Sequence, residues 1–358
     1  MSSFIKPIKP GLQMSRRGFL NTAGTASALA MMRPGMSMAS GNPLVIGTFG
    51  TESNIWFDKA WAKPFTAATG KEVVLEGVNP LDGKIIAMVE SGKTVWDLCD
   101  SDGYSAIRLG RMGYLEEIDY SVVDKSKVRE GWAWQHGIAN HSYSYVRAVD
   151  TRQFDGDQPK TWGDFFDTKT FPGKRSVWRY MVGALEGALM ADGVPADQLY
   201  PLDIKRAIAK LKTIEDDLIF WNNGADAFQQ LVDSEVAIGF VWHNRALRAN
   251  EATNGAISWD FDQGLFCPAS WVMPKGGSQP EVAQQFIASS LVPERQKIVF
   301  DGLASGTTNP AAETLMSAQE KLVNPGTTKN LGMQIQRDEY WYADNYDDAL
   351  NAFLDSFS

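Results

Sequence analysis

The feature that most restricts this chain is the regular alternation of short apolar runs with helical stretches from residue 44 onward. Leu44-Val45-Ile46-Gly47-Thr48-Phe49, bounded by Gly50, reads as a buried strand. A helix over 54–68 follows, with Gly70 placed to cap its C-terminus. Residues 72–78 read as a second strand and 82–90 as a helix with Ile85, Ile86 and Val89 on one face. Residues 95–99 read as a third strand and 104–111 as a third helix. Such alternation predicts an α/β chain with a parallel sheet and right-handed crossovers.

The pattern changes near residue 138. Ile138-Ala139-Asn140-His141-Ser142-Tyr143-Ser144-Tyr145-Val146 alternates as one strand and suits a crossing between two lobes. Thr161-Trp162-Gly163-Asp164-Phe165-Phe166-Asp167 is a capped helix start, and a strand falls near 174–178. Pro201-Leu202-Asp203 opens an amphipathic helix with Ile204, Ala207, Ile208, Leu211 and Ile214 inward and Lys205, Arg206, Lys210 and Lys212 in water. A helix over 228–233, an apolar strand over 235–242, an α/β stretch over 265–299 and an aromatic-rich helix over 340–357 complete the reading.

Composition narrows the function. With 44% hydrophobic and 22% charged residues, the chain of 358 residues is globular and long enough for one large domain or two of ordinary size. Lys+Arg total 34 against 43 Asp+Glu, a net charge of −9, which argues against a nucleic-acid binder. Mean hydropathy is −0.24, and beyond the N-terminus no apolar run approaches the roughly 20 residues of a membrane span. Residues 1–39 read as an export signal: Lys6, Lys9, Arg16 and Arg17 without an acid, a weakly apolar stretch over 19–32, and Ser37-Met38-Ala39 as a cleavage site. Ser15-Arg16-Arg17-Gly18-Phe19-Leu20 is similar to the twin-arginine motif, which implies the twin-arginine export machinery as a partner and a periplasmic location. Asn21 stands where that motif often has Lys, and no Cys follows the apolar stretch to take a lipid. Removing this leader makes the chain more acidic, about −14.

Catalytic signatures are sparse. No Gly-x-Ser-x-Gly elbow accompanies His136, His141 and His243, and no dinucleotide or phosphate loop is present. No cofactor is expected, and two cysteines at 99 and 267 hold no ordinary iron–sulfur cluster. They read equally as one disulfide or as two buried thiols. Aromatics are abundant instead, with 12 Trp, 10 Tyr and 18 Phe. Phe49, Trp242 and Trp271 fall on or at the ends of predicted strands, where crevices of α/β sheets form. Trp162 and Trp178 read as core. Trp242, followed by His243-Asn244-Arg245, reads as ligand-facing.

Several segments together resemble the periplasmic solute-binding proteins of ABC importers, in the spermidine/putrescine-binding branch. They are Trp96-Asp97-Leu98, Gly113-Tyr114-Leu115, Pro159-Lys160-Thr161-Trp162-Gly163-Asp164-Phe165, Val236-Ala237-Ile238-Gly239-Phe240-Val241-Trp242 and Trp271-Val272-Met273-Pro274-Lys275. The resemblance implies a two-lobed, type II-like binding protein with hinge strands and a ligand cleft, closing on its ligand. Lobe one would comprise 43–146 plus 267–312, and lobe two 147–266 plus 313–358. The molecule would be a monomer that docks on an inner-membrane permease.

By the same resemblance, Phe49, Gly50 and Thr51 at the first strand end, Asp102 and Gly103 after the third strand, Trp242, the polar loop of Asn244 and Arg245, and Ser305 would line the cleft. Gly183 and Ala269 stand where polyamine binders carry carboxylates. A cleft guanidinium at Arg245 calls for an anionic partner, and Asp102, Asp226 or Glu52 suits an amine. The expected ligand is therefore a small amine that also carries a carboxylate, with a plain polyamine as the close second. A twin-arginine-exported enzyme, or a ferric-ion binder using Tyr143 and Tyr145, are the alternatives from other classes.

Overall fold

The computed structural model of the protein describes residues 42–357, so the export motif and cleavage signal lie outside the described residues. The strands are β1 (Leu44–Thr48), β2 (Val73–Gly77), β3 (Leu98–Asp102), β4 (Ala133–Trp134), β5 (Gly137–Asp150), β6 (Arg175–Trp178), β7 (Leu218–Trp221), β8 (Ile238–Trp242), β9 (Ile257–Trp259), β10 (Leu265–Val272) and β11 (Ile335–Gln336). The α-helices are α1 (Thr51–Phe57), α2 (Lys63–Thr69), α3 (Asp82–Glu90), α4 (Gly103–Arg111), α5 (Trp162–Phe166), α6 (Ala184–Ala191), α7 (Ile204–Lys212), α8 (Gly224–Val232), α9 (His243–Ala252), α10 (Pro280–Ser290), α11 (Pro293–Leu303), α12 (Ala318–Val323), α13 (Thr328–Leu331) and α14 (Glu339–Ser356).

These strands form one sheet in the order β2-β1-β3-β10-β5-β8-β6-β7, with β11 on β10 and both β4 and β9 on β5. Two parallel sets result, β2-β1-β3 and β8-β6-β7, joined by β10 and β5, which run antiparallel to each other and to the sets they join. At about 3.3 Å per residue, the 14 residues of β5 reach roughly 45 Å, enough to serve both sets. Its first part pairs with β10 from Gly137 to Tyr145, and its second with β8 and β9 from Tyr145 to Asp150.

Local chemistry explains most boundaries. The predicted single helix after β1 is α1 and α2 joined by a π-helical turn, Asp58–Ala62, that buries Ala60, Trp61 and Ala62. Gly70 ends it in the left-handed conformation at φ 73°, which suits a residue without a Cβ. Thr161 and Asp164 form a reciprocal capping box on α5, and Asp203 caps the amphipathic α7. The third strand lies three residues further on than the sequence predicts. Its polar end stays in the sheet because β10 pairs there, Ser270 opposite Ser101, and because Asn140 donates to Asp100 at 2.8 Å.

Two aromatic cores sit against the sheet. Trp61, Trp271, Phe57 and Phe286 pack under the first set, Trp61 and Trp271 with ring centres 5.1 Å apart. Trp271 is thus core and not a cleft aromatic; its indole donates to the Ser290 hydroxyl at 2.9 Å. Trp162 packs edge-on to Phe240 under the second set, as expected of a core residue. The C-terminal helix α14 grips both sets: Tyr346 stacks on Tyr104 of α4, while Phe353 meets Phe220 of β7. Cys99 stands opposite Val272 and Cys267 opposite Tyr143, five positions apart on β10, and both are buried free thiols. The disulfide alternative therefore falls.

Candidate functional site

The strands β8, β6 and β7 are adjacent and parallel, and each ends in a tryptophan. That coincidence stacks Trp178, Trp221 and Trp242 into a cluster with ring centres 4.3 to 5.2 Å apart. Trp221 is fully buried behind, while Trp178 and Trp242 are half-buried and Tyr180, beside Trp178, is exposed. Trp178 therefore belongs to this wall and not to the core alone. Across the joint, Tyr145 of β5 stands opposite Trp242 in register, and the Tyr143 ring meets Trp242 edge-on at 6.4 Å.

Tyr143 leads from this wall to a fixed charge. Its hydroxyl donates to Asp102 Oδ1 at 2.7 Å, and the same oxygen accepts from Arg337 Nη2 at 2.9 Å. Arg337, fully buried, also donates from Nε to Glu339 Oε1 at 2.7 Å and from Nη2 to Oε2 at 3.0 Å. Its guanidinium lies over the Tyr104 ring at 4.9 Å. Asp102 is about one-fifth exposed, and both of these hydrogen bonds fall on its Oδ1. Burial raises the Asp100 carboxyl to about 7, and burial likewise holds Glu339 near 7 against the pull of Arg337. Burial also lifts the Tyr143 and Tyr145 phenols well above their ordinary range. Among the described residues no group of three or more His, Cys, Asp or Glu is placed to hold a metal.

The remaining expected positions divide. Phe49 is exposed at the end of β1, Gly50 precedes α1 at φ 137°, and Thr51 is the first residue of that helix. Asn244 and Arg245 lie in the first turn of α9 and not in a loop, because extended Trp242 already serves as its N-cap. Asn244 donates to the Leu303 carbonyl at 3.3 Å and leaves its buried Oδ1 without a partner. Arg245 reaches Glu52 at 3.4 Å, so its anionic partner is intraprotein; the pair is partly exposed and worth little. Its buried Nε has no acceptor. Ser305 is buried beside Gly306, which exchanges two backbone hydrogen bonds with Ser142 of β5. Asp226 accepts from the Asn222 backbone at 3.1 Å, and no described contact joins it to Asp102 or Trp242.

Sequence reasoning missed Arg337, Glu339, Trp221, Tyr180 and Arg179. The last follows Trp178, is exposed, and its guanidinium has no hydrogen bond or ion pair among the described residues. A tryptophan at the end of each of three consecutive parallel strands was the available signal for the wall.

His243 is structural. Its Nδ1 accepts from the Ser144 backbone at 3.1 Å and its Nε2 donates to the Ala304 carbonyl at 2.7 Å, which fixes the neutral ring. Burial lowers its pKa from 6.5 to about 4. The unfolded chain therefore takes up a proton first as pH falls, and the stability due to this ring is complete above 6.5 and lost between 6.5 and 4. Urea unfolding of wild type and His243→Gln should show their stability difference shrinking by up to about 3 kcal/mol from pH 7 to pH 4. A constant difference contradicts the neutral-ring assignment.

Comparisons with known proteins agree with this architecture. Residues 60–324 match the family model described as bacterial extracellular solute-binding protein. The gamma-aminobutyric acid-binding protein of Pseudomonas aeruginosa is 29% identical over 313 residues, covering 85% of this chain and 88% of that one. The spermidine/putrescine-binding periplasmic protein of Escherichia coli is 24% identical over 280 residues, covering 74% and 80%. Among solved structures, one described as the Atu4243-GABA receptor superposes with a TM-score of 0.83 at 31% identity, covering 88% of this chain and 98% of its own.

Proposed function

The chain belongs to the bacterial extracellular solute-binding protein family, and from that premise we propose that it captures a short amine bearing a terminal carboxylate, of the 4-aminobutyrate kind, for an ABC import permease. Its fold is the two-lobed α/β arrangement of that family, in which β5 and β10 serve as the hinge strands. The lobes are proposed as 43–146 with 267–312 and 147–266 with 313–358. Export through the twin-arginine route, a periplasmic location and action as a monomer are parts of the same proposal.

The observation that carries the ligand class is a half-open carboxylate, Asp102, held immobile by Tyr143 and Arg337 and set one ring away from the tryptophan wall. An ammonium would take the open side of Asp102, and its methylene chain would lie against Trp242 and Trp178. The carboxylate would go to Arg245 in place of Glu52, with unpaired Arg179 nearby on the same strand ends. Phe49, Gly50, Thr51, Asn244 and Ser305 would close the rim, with Asp226 outside the first contacts. A plain polyamine is the second reading, because Asp100, Asp102 and Glu339 supply three acidic groups against one buried cation.

Calorimetric titration with 4-aminobutyrate, putrescine, spermidine and butyrate tests the reading. The expected order places 4-aminobutyrate first, the diamines behind it, and butyrate without binding. Butyrate binding as tightly as 4-aminobutyrate overturns the amine assignment, and putrescine in first place overturns the carboxylate clamp.

A finer test lies at Gly224. A Cβ there would stand 2.5 Å from Arg245 Nε and 3.1 Å from the Trp242 ring. Gly224→Ala should shift both side chains, at about 1–3 kcal/mol of overpacking, and weaken the best ligand about tenfold. Unchanged affinity would place Arg245 and Trp242 outside the site.

A further inference from the structure

Glu186, in the first turn of α6, keeps its carboxylate buried, at 1% exposure, among neutral partners. Its Oε1 accepts from the Tyr200 and Tyr342 hydroxyls, both at 2.7 Å, and its Oε2 accepts from the Gly183 backbone at 3.0 Å. A carboxylate taken out of water is costly unless its lone pairs are met, and these three donors meet them. The donors come from three separate segments: the loop after β6, the connection before α7, and α14.

Gly183 closes the loop that continues the tryptophan wall. Exposed Arg179 and Tyr180 follow Trp178 directly, and the Tyr180 ring meets Trp178 at 5.1 Å. Met181 comes next, fully buried at φ 65°, a left-handed conformation that a side chain holds only where its surroundings impose it. Tyr342 leads from Glu186 in the other direction. Its ring lies beneath the Arg337 guanidinium at 5.6 Å. One turn earlier on α14, Glu339 holds the same guanidinium with two hydrogen bonds. Residues three apart share a helix face, so the first turn of α14 engages Arg337 with one side chain and Glu186 with the other. Arg337 in turn donates to Asp102 at 2.9 Å. Buried contacts therefore run without a break from the wall loop through Glu186, Tyr342 and Arg337 to Asp102.

We infer, on the functional reading proposed above, that Glu186 is a positioning residue that sets which ligand length is accepted. It touches no ligand. It fixes the loop bearing Arg179 and Tyr180 relative to the Asp102 carboxylate, and so fixes the span between the ends that receive the ligand's carboxylate and its ammonium. A preorganised span favours one spacing of the two charges and disfavours shorter or longer chains.

Calorimetric titration of the protein with 3-aminopropionate, 4-aminobutyrate and 5-aminopentanoate tests this role, with thermal unfolding run in parallel. Wild type should prefer one length over the others by about tenfold or more. Glu186→Gln keeps an acceptor for the tyrosines but turns its Nε2 toward the Gly183 N–H, donor against donor. That should free the loop and flatten the preference to about threefold or less. Tyr342→Phe keeps the ring beneath Arg337, loses the bond to Glu186, and should flatten the preference as well. Tyr200→Phe loses an equal hydrogen bond but leaves the contacts to Gly183 and Tyr342 in place; it should lower Tm by a similar amount and keep the wild-type preference. Should Glu186→Gln fail to fold, the two tyrosine variants decide between them. A preference unchanged in Glu186→Gln or in Tyr342→Phe, whatever the Tm, overturns the positioning role alone. A preference lost equally in Tyr200→Phe marks a general loosening and overturns it too, as does a wild type that binds all three lengths alike. Wild-type protein that binds none of the three overturns the functional reading, and the positioning role with it.

Discussion

Asp102→Asn should abolish useful binding of the amine ligand while leaving the protein folded. The substitution keeps the shape of the side chain and removes its charge. Arg337 retains both bonds to Glu339, at 2.7 and 3.0 Å, so the buried cation stays compensated. The loss falls on the ligand, whose ammonium faces a neutral amide in a desolvated cleft. Truncating one side of a buried charge pair costs about 2–5 kcal/mol, which is roughly thirty- to several-thousandfold in affinity. Calorimetry at matched pH, with thermal unfolding as a control for folding, reads both quantities. Wild-type affinity in this variant would remove Asp102 from the site.

Arg337→Met should be the most destabilising change at the same place. It strips the cation from the buried Glu339, from the partly buried Asp102 and from the Tyr143 hydroxyl that Arg337 meets at 3.2 Å. Breaking a buried ion pair from one side costs about 3–5 kcal/mol. In a domain of this size that lowers Tm by roughly 6–10 °C. The sign with pH is also fixed. Burial already raises Glu339 to about 7 in the wild type, and removing its partner raises it further. A carboxyl raised in the folded state favours folding at low pH and loses that contribution as pH rises through its folded value. The deficit of the variant should therefore be small near pH 5 and grow toward pH 8. A deficit that shrinks over that interval would mean that Glu339 is not held by Arg337.

How much of this was legible in the sequence depended on whether a residue answered to its neighbours in the chain or to distant ones. The helix over 82–90 and the capping box of Thr161 with Asp164 follow from local spacing, and the structure has both. The strand ending in Asp100-Ser101-Asp102 was misplaced because polar residues end a strand on local grounds. Here Asn140 and β10, far along the chain, satisfy them. β7 escaped notice behind the acidic turn Glu215–Asp217, and α9 because its face toward solvent is polar from the first turn. Trp242 and Asp102 were legible as expected site residues, and Tyr143 links the two in the structure. Arg337 was not, since it lies 235 positions from Asp102 in a segment without hydrophobic periodicity. A cation whose purpose is to fix a distant carboxylate leaves no local signature. Arg245 was legible as a charge needing a partner, but that Glu52 of α1, 193 positions away, would meet it depended on the tertiary fold.

A crystal structure of the protein with 4-aminobutyrate bound would test the central claim most directly. The account predicts the ammonium within hydrogen-bond distance of Asp102 Oδ2, the methylenes against Trp242 and Trp178, and the carboxylate on a guanidinium of Arg245 or Arg179. Density for the ligand elsewhere, or an Asp102 side chain still closed off by protein atoms with ligand present, would contradict it.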